Sequence, residues 1–422
     1  MTTFKQMLFI QGLAIKAVAG LLFATALNTA SAAGKLPYDY FSVGDPTKTP
    51  VIADTDRATT PSYVIMGGGP DVDKAFQWMI QRAGIKPGMG GRLVVIRARG
   101  TEAYNPYIYY SDANGGTTTL PPTNQDGWVG GAYLGLSSVE TLVIPDVNAA
   151  NNEAVNKIVA RANVVFIAGG DQSDYIKYWK NTQLDWTLQT LNTNKVPIGG
   201  TSAGLAVLGQ FDFAALQGTV TSAQALSNPF NRYMTLDPAP LSLNPSSSTF
   251  TAGGFITPLP LFNTVLDSHL DERDRMGRLV TFVSRLIETK NGTGCTGGIL
   301  MPKESRTLSP TPKGDLIARG IGVGVEAALL VSGDGFATPV MANLVTNPTT
   351  TTKSAAYFVL PNNYPGQCVA NKPLSGVTAT VVKVDKANPT FNMSTWSGGY
   401  ASYTLTVTNG VMSVLGNNNS PY

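Results

Sequence analysis

The first half of the chain alternates short apolar runs with stretches of helical periodicity. Apolar runs of strand length cover residues 62–66, 92–97, 141–145, 164–168 and 196–199. Helical spacing of apolar residues covers 71–83, 149–162, 174–191 and the start of a helix at 203–208. This alternation predicts an α/β fold, in which a mainly parallel sheet is sandwiched by helices. Functional sites in such sheets lie beyond the carboxyl ends of the strands.

The second half is less regular. Residues 213–256 are rich in Ser, Thr, Asn, Gly and Pro, which predicts a long excursion over the surface, and a helical stretch follows at 275–290. From about residue 337 the chain is rich in Thr, Asn, Ser and Val and alternates at 378–384 and 402–407, which predicts a β-rich C-terminal extension. This extension either completes the sheet edge or forms a small appended unit.

The first 32 residues have the features of a secretory signal peptide. Lys5 and Lys16 are their only charged residues, and an apolar run at 17–27 precedes Ala30-Ser31-Ala32. The run is shorter than the roughly 20 residues that a membrane-spanning helix needs. We therefore expect cleavage near Ala32 and a secreted or periplasmic protein that is not held in the membrane, with an uncleaved anchor as the alternative. The predicted division is a signal peptide at 1–32, an α/β domain at 33–336 and the extension at 337–422.

Composition narrows the function classes. The 422 residues include one histidine and two cysteines, which excludes His₃, His₂Glu and Cys₄ zinc sites. A net charge of +3 gives no electrostatic footprint for nucleic acid. We expect no metal and no cofactor, and the sequence leaves open whether the chain forms a homodimer. In an oxidising compartment, Cys295 and Cys368 either form a disulfide or remain two thiols.

A candidate nucleophile lies where an apolar run meets a helix start. Gly200-Thr201-Ser202-Ala203-Gly204 fits the G-x-S-x-G pattern, whose small residues allow the sharp turn that presents a serine oxygen. The first N–H groups of the following helix can stabilise an oxyanion. In a chain with 44 glycines the pattern alone is weak.

The base for such a serine can only be His269, because the chain has no other imidazole. His269 lies in a dense charged cluster, residues 267–278, within a chain that is only 14% charged. The alternative interpretation is a solvated surface loop with an incidental histidine, because exposed ion pairs contribute little.

Two glycine-rich segments complete the candidate site. Gly169-Gly170-Asp171-Gln172 follows an apolar run, so its N–H groups could face an oxyanion; the alternative is an ordinary turn in which Asp171 caps a helix. The segment 320–326 ends in Glu326, a candidate for the carboxylate that orients the imidazole, or else a lone surface acid.

Together these segments resemble the cyanophycinases, serine peptidases related to the aspartyl dipeptidases, which have an α/β sandwich similar to class I glutamine amidotransferases. The resemblance covers roughly residues 60–335 and includes the Asp-x-His…Arg-x-Arg-x-x-Gly-Arg-Leu pattern of residues 267–279. It implies that Ser202 is the nucleophile, His269 the general base and acid, and Glu326 the orienting carboxylate. It also implies that the N–H groups of Gly170 and Ala203 form an oxyanion hole. The substrate pocket that it implies consists of Gln172, Asp267, Arg273, Arg275 and Arg278.

The reaction implied by the resemblance is hydrolysis of cyanophycin, a poly-aspartate backbone with arginine on each side-chain carboxyl, to β-Asp-Arg dipeptides. Three departures from the family pattern concern the pocket: Glu272 and Asp274 flank the first arginine, Val325 replaces an acid, and about 30 residues around 289–319 look inserted. The rival functions are an aspartyl dipeptidase-like exopeptidase and a non-catalytic exported binding protein of the same fold.

Overall fold

The computed structural model describes residues 35–110, 128–239, 254–256, 259–306, 315–342, 355–398 and 402–422. Residues 38–422 form one compact unit. The predicted signal peptide lies outside the described residues. Within the described ranges, no helix is both long enough and apolar enough to cross a membrane.

Eighteen strands are present in the described ranges. Their bounds are β1 Asp39–Gly44, β2 Ser62–Met66, β3 Gly91–Arg97, β4 Leu136–Val143, β5 Val164–Ile167, β6 Ile198–Thr201, β7 Asp212–Phe213, β8 Leu236–Asp237, β9 Thr264–Asp267, β10 Arg319–Val323, β11 Ala327–Ser332, β12 Phe336–Met341, β13 Ala356–Pro361, β14 Val377–Val384, β15 Phe391–Asn392, β16 Ser397–Gly398, β17 Ser402–Thr408 and β18 Val411–Leu415.

Two sheets contain most of these strands. Sheet A has the order β1-β4-β3-β5-β6-β2-β11-β12-β15-β16, and its centre, from β4 to β2, is parallel. Sheet B has the order β18-β17-β14-β13-β10-β9, in which only β9 and β10 are parallel. Strands β7 and β8 form a separate pair. The predicted mainly parallel sheet is confirmed as the centre of sheet A, and its flanks are antiparallel.

The described residues also contain ten α-helices, which cover the sheets. They are α1 Asp73–Arg82, α2 Tyr104–Tyr109, α3 Gly131–Leu134, α4 Val147–Ala150, α5 Glu153–Ala160, α6 Gln172–Trp179, α7 Gln183–Thr193, α8 Ala203–Ala206, α9 Ser222–Ser227 and α10 Met276–Arg285.

Side-chain alternation along β2 sets the layers. Val64 and Met66 belong to one apolar cluster with Phe76 of α1, whereas Ile65 belongs to another with Ile321 of β10. One face of sheet A therefore packs on α1, and the opposite face packs on sheet B and on helices α4 to α7. The far face of sheet B packs on α10 in a third cluster. The inner strands β2 and β5 of sheet A are thus buried on both faces, as their continuous apolar runs predict.

Two of the predicted helices are interrupted. The stretch at 149–162 is divided by Asn152, whose side chain accepts hydrogen bonds from the first N–H groups of α5. The stretch at 174–191 is divided at Lys180, whose extended backbone ends α6, and at Asn181, whose φ is 60°, before α7 begins. Each part of the two stretches has apolar residues at helical spacing, so the spacing alone does not show where one helix ends and the next begins.

The segment 213–256 departs from its expectation of a surface excursion. Its described part contains β8 and α9, and the side chains of Phe213, Val220 and Leu226 are buried in the cluster around α10. The segment is so rich in small polar residues that its composition did not indicate that these few apolar side chains are buried. Residues 240–253 lie outside the described residues.

The β-rich extension at 337–422 completes the sheets rather than standing apart. The boundary at 336/337 falls inside β12, which pairs with β11 of sheet A. Strand β13 pairs with β10, and β14, β17 and β18 extend sheet B from there. Of the two interpretations left open by the sequence, the structure shows pairing at the sheet edges.

A disulfide joins Cys295 to Cys368, with 4.7 Å between the Cα atoms. It links the segment after α10 to the loop between β13 and β14. Both cysteines are buried in the cluster between α10 and sheet B. The bond thus ties the β-rich extension to the segment that follows the histidine.

Candidate active site

Ser202 lies on a strained turn between β6 and α8. Its backbone has φ 53° and ψ −110°, and its N–H donates to the carbonyl of Met66 at 3.0 Å. A Cβ at Gly204 would stand 2.1 Å from the carbonyl oxygen of Ile167, so only glycine allows α8 to begin this close to β5. This is the sharp strand-to-helix turn that the G-x-S-x-G pattern predicts.

The imidazole of His269 faces this serine. Its Nε2 lies 2.9 Å from Ser202 Oγ. The N–H of His269 donates to the carbonyl of Gly67 at 2.8 Å, which fixes the residue against the end of β2. A Cβ at Gly68 would lie 2.3 Å from Nε2, so the glycine is needed for the ring to sit here. The structure thus brings together the predicted nucleophile and base, which are 67 residues apart in sequence.

The other ring nitrogen contacts a carboxylate. Glu272 Oε2 lies 2.7 Å from Nδ1 of His269. An ionised carboxylate only accepts hydrogen bonds, so Nδ1 carries the proton and Nε2 is left to accept the hydroxyl proton of Ser202. Sequence reasoning treated Glu272 only as a departure within the pocket and assigned this role to Glu326. The available signal was the spacing of three residues between His269 and Glu272 within the charged cluster.

Glu326 lies nearby, in the turn between β10 and β11. Its side chain is buried, and its N–H donates to the carbonyl of Gly68 at 2.9 Å. The Cγ of Glu326 is 3.7 Å from the Cβ position of Gly69. His269 and Glu326 are therefore both fixed to the same short backbone segment after β2. The role of Glu326 as the orienting carboxylate stays a prediction.

Burial and charge set the protonation of this pair. Desolvation lowers the pKa of His269 below its usual value, while the hydrogen bond that Nδ1 donates to Glu272 acts in the opposite direction. The hydrogen bond to His269 in turn lowers the pKa of Glu272. The lowered pKa extends the pH range in which the imidazole is neutral, and able to act as a base, below the range of an ordinary histidine.

The predicted oxyanion hole adjoins the serine. Gly169 has its Cβ position 3.5 Å from Ser202 Cβ, and Gly170 follows it in the chain. Ala203 is the first residue of α8, directly after Ser202. Asp171 caps α6, as the alternative interpretation of that turn expected, and its carboxylate accepts the N–H of Ser173. The role of Gly170 and Ala203 as donors to an oxyanion stays a prediction.

Two of the predicted pocket residues form a buried ion pair. Arg278 donates from Nε and Nη2 to the two carboxylate oxygens of Asp267, at 2.7 and 2.6 Å. Its Nη1 donates to Thr219 Oγ1 and to the carbonyl of Val220. All three nitrogens of this guanidinium thus have acceptors inside the protein, and the geometry is bidentate. The structure shows the pair as internal support for the turn after β9, and its contact with substrate stays a prediction.

The other three predicted pocket residues differ in exposure. Arg275 donates to the carbonyl of Ser268 at 2.8 Å, and burial lowers its pKa to about 10. Gln172 donates its amide to the carbonyl of Phe213 at 3.3 Å. The side chain of Arg273 is 50% exposed, and its Nε lies 3.7 Å from Glu272 Oε2. Arg273 is therefore the arginine of the cluster that is best placed to meet an anionic group from solvent.

Within the described ranges, no three side chains of His, Cys, Asp or Glu come together in a way that could hold a metal ion. The described residues of the candidate site offer a serine hydroxyl, an imidazole, carboxylates and guanidinium groups for chemistry.

Comparison with known proteins identifies the family that this arrangement resembles. Residues 132–285 match the model of peptidase family S51. This family covers the aspartyl dipeptidases and cyanophycinases, so the match supports a peptidase. The matched segment contains Ser202, His269 and Glu272, whereas Glu326 lies beyond it.

A similar solved structure is the crystal structure of a peptidase from an acI-B1 Actinobacterium, with 15% identity and a TM-score of 0.38. The similarity covers 71% of this chain and 90% of that one. A search of curated proteins finds no match.

The Nδ1 contact can be tested by the pH dependence of hydrolysis. We expect kcat/KM to rise with pH through an acid limb below pH 6.5, because protonated His269 cannot act as a base. Glu272→Gln removes a negative charge that raises the pKa of His269, so this limb should move to lower pH while the plateau rate falls. The measurement is kcat/KM from pH 4 to 8 in both proteins. An unchanged acid limb would exclude the contact from the active state, and Asp54→Asn, at an exposed acid remote from the cluster, is the control.

Proposed function

We propose that this chain is an exported serine peptidase that hydrolyses cyanophycin to β-Asp-Arg dipeptides through an acyl-enzyme. The observation that carries the serine mechanism is the 2.9 Å contact of Ser202 Oγ with His269 Nε2 on a strained turn. A serine used only for packing does not need a strained backbone that points its oxygen at an imidazole. The match of residues 132–285 to a peptidase family supports the same conclusion.

In the proposed mechanism, Ser202 Oγ attacks the scissile carbonyl carbon while its proton passes to His269 Nε2. Glu272, on Nδ1, stabilises the imidazolium that forms, and Glu326 is the second carboxylate proposed to support it. The N–H groups of Gly170 and Ala203 receive the oxyanion. His269 then donates its proton to the leaving amine, and the acyl-enzyme remains. Water attacks this ester with His269 again as base, which releases the product acid and restores the serine.

The proposed substrate presents both carboxylates and guanidinium groups. The half-exposed guanidinium of Arg273 suits a substrate carboxylate, because arginine binds carboxylates bidentately. The more buried Arg275 and the internal Asp267–Arg278 pair keep the turn in place beneath it. Gln172, the first residue of α6, is proposed to orient the peptide through its amide.

Export is proposed from residues 1–32 and agrees with the disulfide, since disulfides persist in oxidising compartments. Cyanophycin is an intracellular granule polymer in the cells that make it. An exported enzyme would therefore act on polymer released by other cells.

The proposal is tested by offering the purified protein insoluble cyanophycin and, separately, a short aspartyl dipeptide. We expect β-Asp-Arg dipeptides from the polymer, identified by mass spectrometry, and little cleavage of the short peptide. Cleavage of the short peptide alone would favour an aspartyl dipeptidase-like exopeptidase, which the matched family also includes. Binding of the polymer without cleavage, and without labelling of Ser202 by a serine-directed probe, would identify a non-catalytic binding protein.

A further inference from the structure

We propose that Tyr422 is a positioning residue of the active site: its phenol holds the turn that carries Arg273 and Arg275. The β-rich C-terminal extension would thereby set the affinity for substrate. This inference rests on the proposed function, in which that turn faces the peptide.

The phenol of Tyr422 makes two hydrogen bonds to the turn. Its oxygen accepts the N–H of Met276 at 3.0 Å, and its hydroxyl donates to Asp274 Oδ1 at 2.9 Å. Met276 is the first residue of α10, and Arg275, which precedes it, provides no side-chain cap. The first N–H groups of a helix have no partner within the helix, so the phenol supplies one from 146 residues away in sequence.

The turn, residues 269–275, has a backbone that needs external support. His269 and Asp274 have φ values of 48° and 47°, in the left-handed region that side chains other than glycine rarely occupy. Between them, Asp271 accepts the N–H of Val325 at 3.1 Å, which fixes the first half of the turn to the segment between β10 and β11. The second half is held by the phenol of Tyr422 on the Asp274 carboxylate and by the hydroxyl of Ser222 on the Asp274 carbonyl.

Tyr422 is itself fixed by sheet B and its flanking segments. The rings of Tyr357 in β13 and Tyr422 pack edge to face, with centroids 6.0 Å apart. Asn417 donates to the backbone carbonyl of Tyr422 at 3.1 Å. Burial raises the pKa of Tyr422, so the phenol keeps the proton that it donates to Asp274. The contacts thus run from the C-terminal strands to the residues on either side of Arg275.

A turn that is already ordered loses less conformational entropy when substrate binds. Arg273 lies between Glu272, which contacts His269, and Asp274, which contacts Tyr422. Loss of the hydrogen bond from Tyr422 to Asp274 should therefore weaken substrate binding through Arg273. It should slow acylation of Ser202 less, because Ser202 contacts His269 at the other end of the turn.

The test is Tyr422→Phe, which keeps the ring and removes both hydrogen bonds. We expect KM to rise about 5- to 10-fold with kcat within a factor of two, the loss expected for about one hydrogen bond of net binding energy. The matched control is Tyr63→Phe, which removes a buried hydroxyl bonded to Asn192 at 2.7 Å and should leave KM unchanged. An unchanged KM in Tyr422→Phe, or an equal rise in both variants, would overturn the proposal.

Amide hydrogen exchange provides a readout that does not depend on activity. The N–H of Met276 should exchange faster in Tyr422→Phe than in the wild type, whereas it should be unaffected in Tyr63→Phe. Equal exchange at Met276 in all three proteins would show that the phenol does not hold the turn. A wild type that hydrolyses neither cyanophycin nor the short aspartyl dipeptide would instead refute the proposed function. The exchange rates would still decide whether the phenol of Tyr422 holds the turn.

Discussion

Ser202→Ala is expected to lower kcat/KM for cyanophycin by on the order of 10⁴-fold or more, because the variant has no oxygen to form the acyl-enzyme. The loss should be confined to chemistry. Ser202 Oγ contacts His269 Nε2, and alanine can occupy the same turn with one atom fewer. The melting temperature should therefore stay within a few degrees of the wild type. The measurements are dipeptide release from the polymer and thermal unfolding.

The control for this substitution is Ser137→Ala, which removes a buried serine hydroxyl that donates to the carbonyl of Gly90 at 2.9 Å. It should retain wild-type activity, since Ser137 lies next to the start of β4, away from the carboxyl ends of the parallel strands. Serine-directed probes should label the wild type and Ser137→Ala but not Ser202→Ala. Dipeptide release by Ser202→Ala at the wild-type rate would refute the serine mechanism outright.

The parallel centre of sheet A could be predicted because β2, β3 and β5 are nearly continuous apolar runs that alternate with helical periodicity along the chain. Sheet B could not be assembled in this way. Two of its pairs join β9 to β10 and β10 to β13, so residues in register are at least 33 positions apart. Nothing in the local pattern specifies such partners, because register between distant strands is fixed by which apolar faces meet once the layers pack.

The residues of the candidate site also differ in how far local sequence could identify them. Ser202 could be found from a local motif, and His269 followed because it is the only histidine. The carboxylate on Nδ1 was missed although Glu272 is only three residues from His269, because whether it reaches Nδ1 depends on the local backbone, in which His269 has a positive φ. Composition does not reveal that conformation. The internal pairing of Arg278 with Asp267 was concealed for a related reason, because a charged cluster in sequence gives no indication of which guanidinium is buried.

Removing the disulfide is expected to cause the largest change in stability among these predictions. The bond between Cys295 and Cys368 closes a loop with a sequence separation of 73. In the chain-entropy model, a loop of this size restricts the unfolded chain enough to contribute about 4 kcal/mol. The double variant Cys295→Ala, Cys368→Ala should therefore have a free energy of unfolding lower by about this amount, measured by urea denaturation.

Dithiothreitol provides the matched control for this prediction. It should shift the urea midpoint of the wild type towards that of the double variant and leave the double variant where it is. Equal midpoints for the oxidised wild type and the double variant would show that the bond adds no stability. Since Cys295 and Cys368 lie between α10 and sheet B, the bond joins the helix that follows the histidine turn to the β-rich extension. In a reducing compartment both parts would lose this tie, so the full stability of the protein would require the oxidising surroundings that the predicted signal peptide leads to.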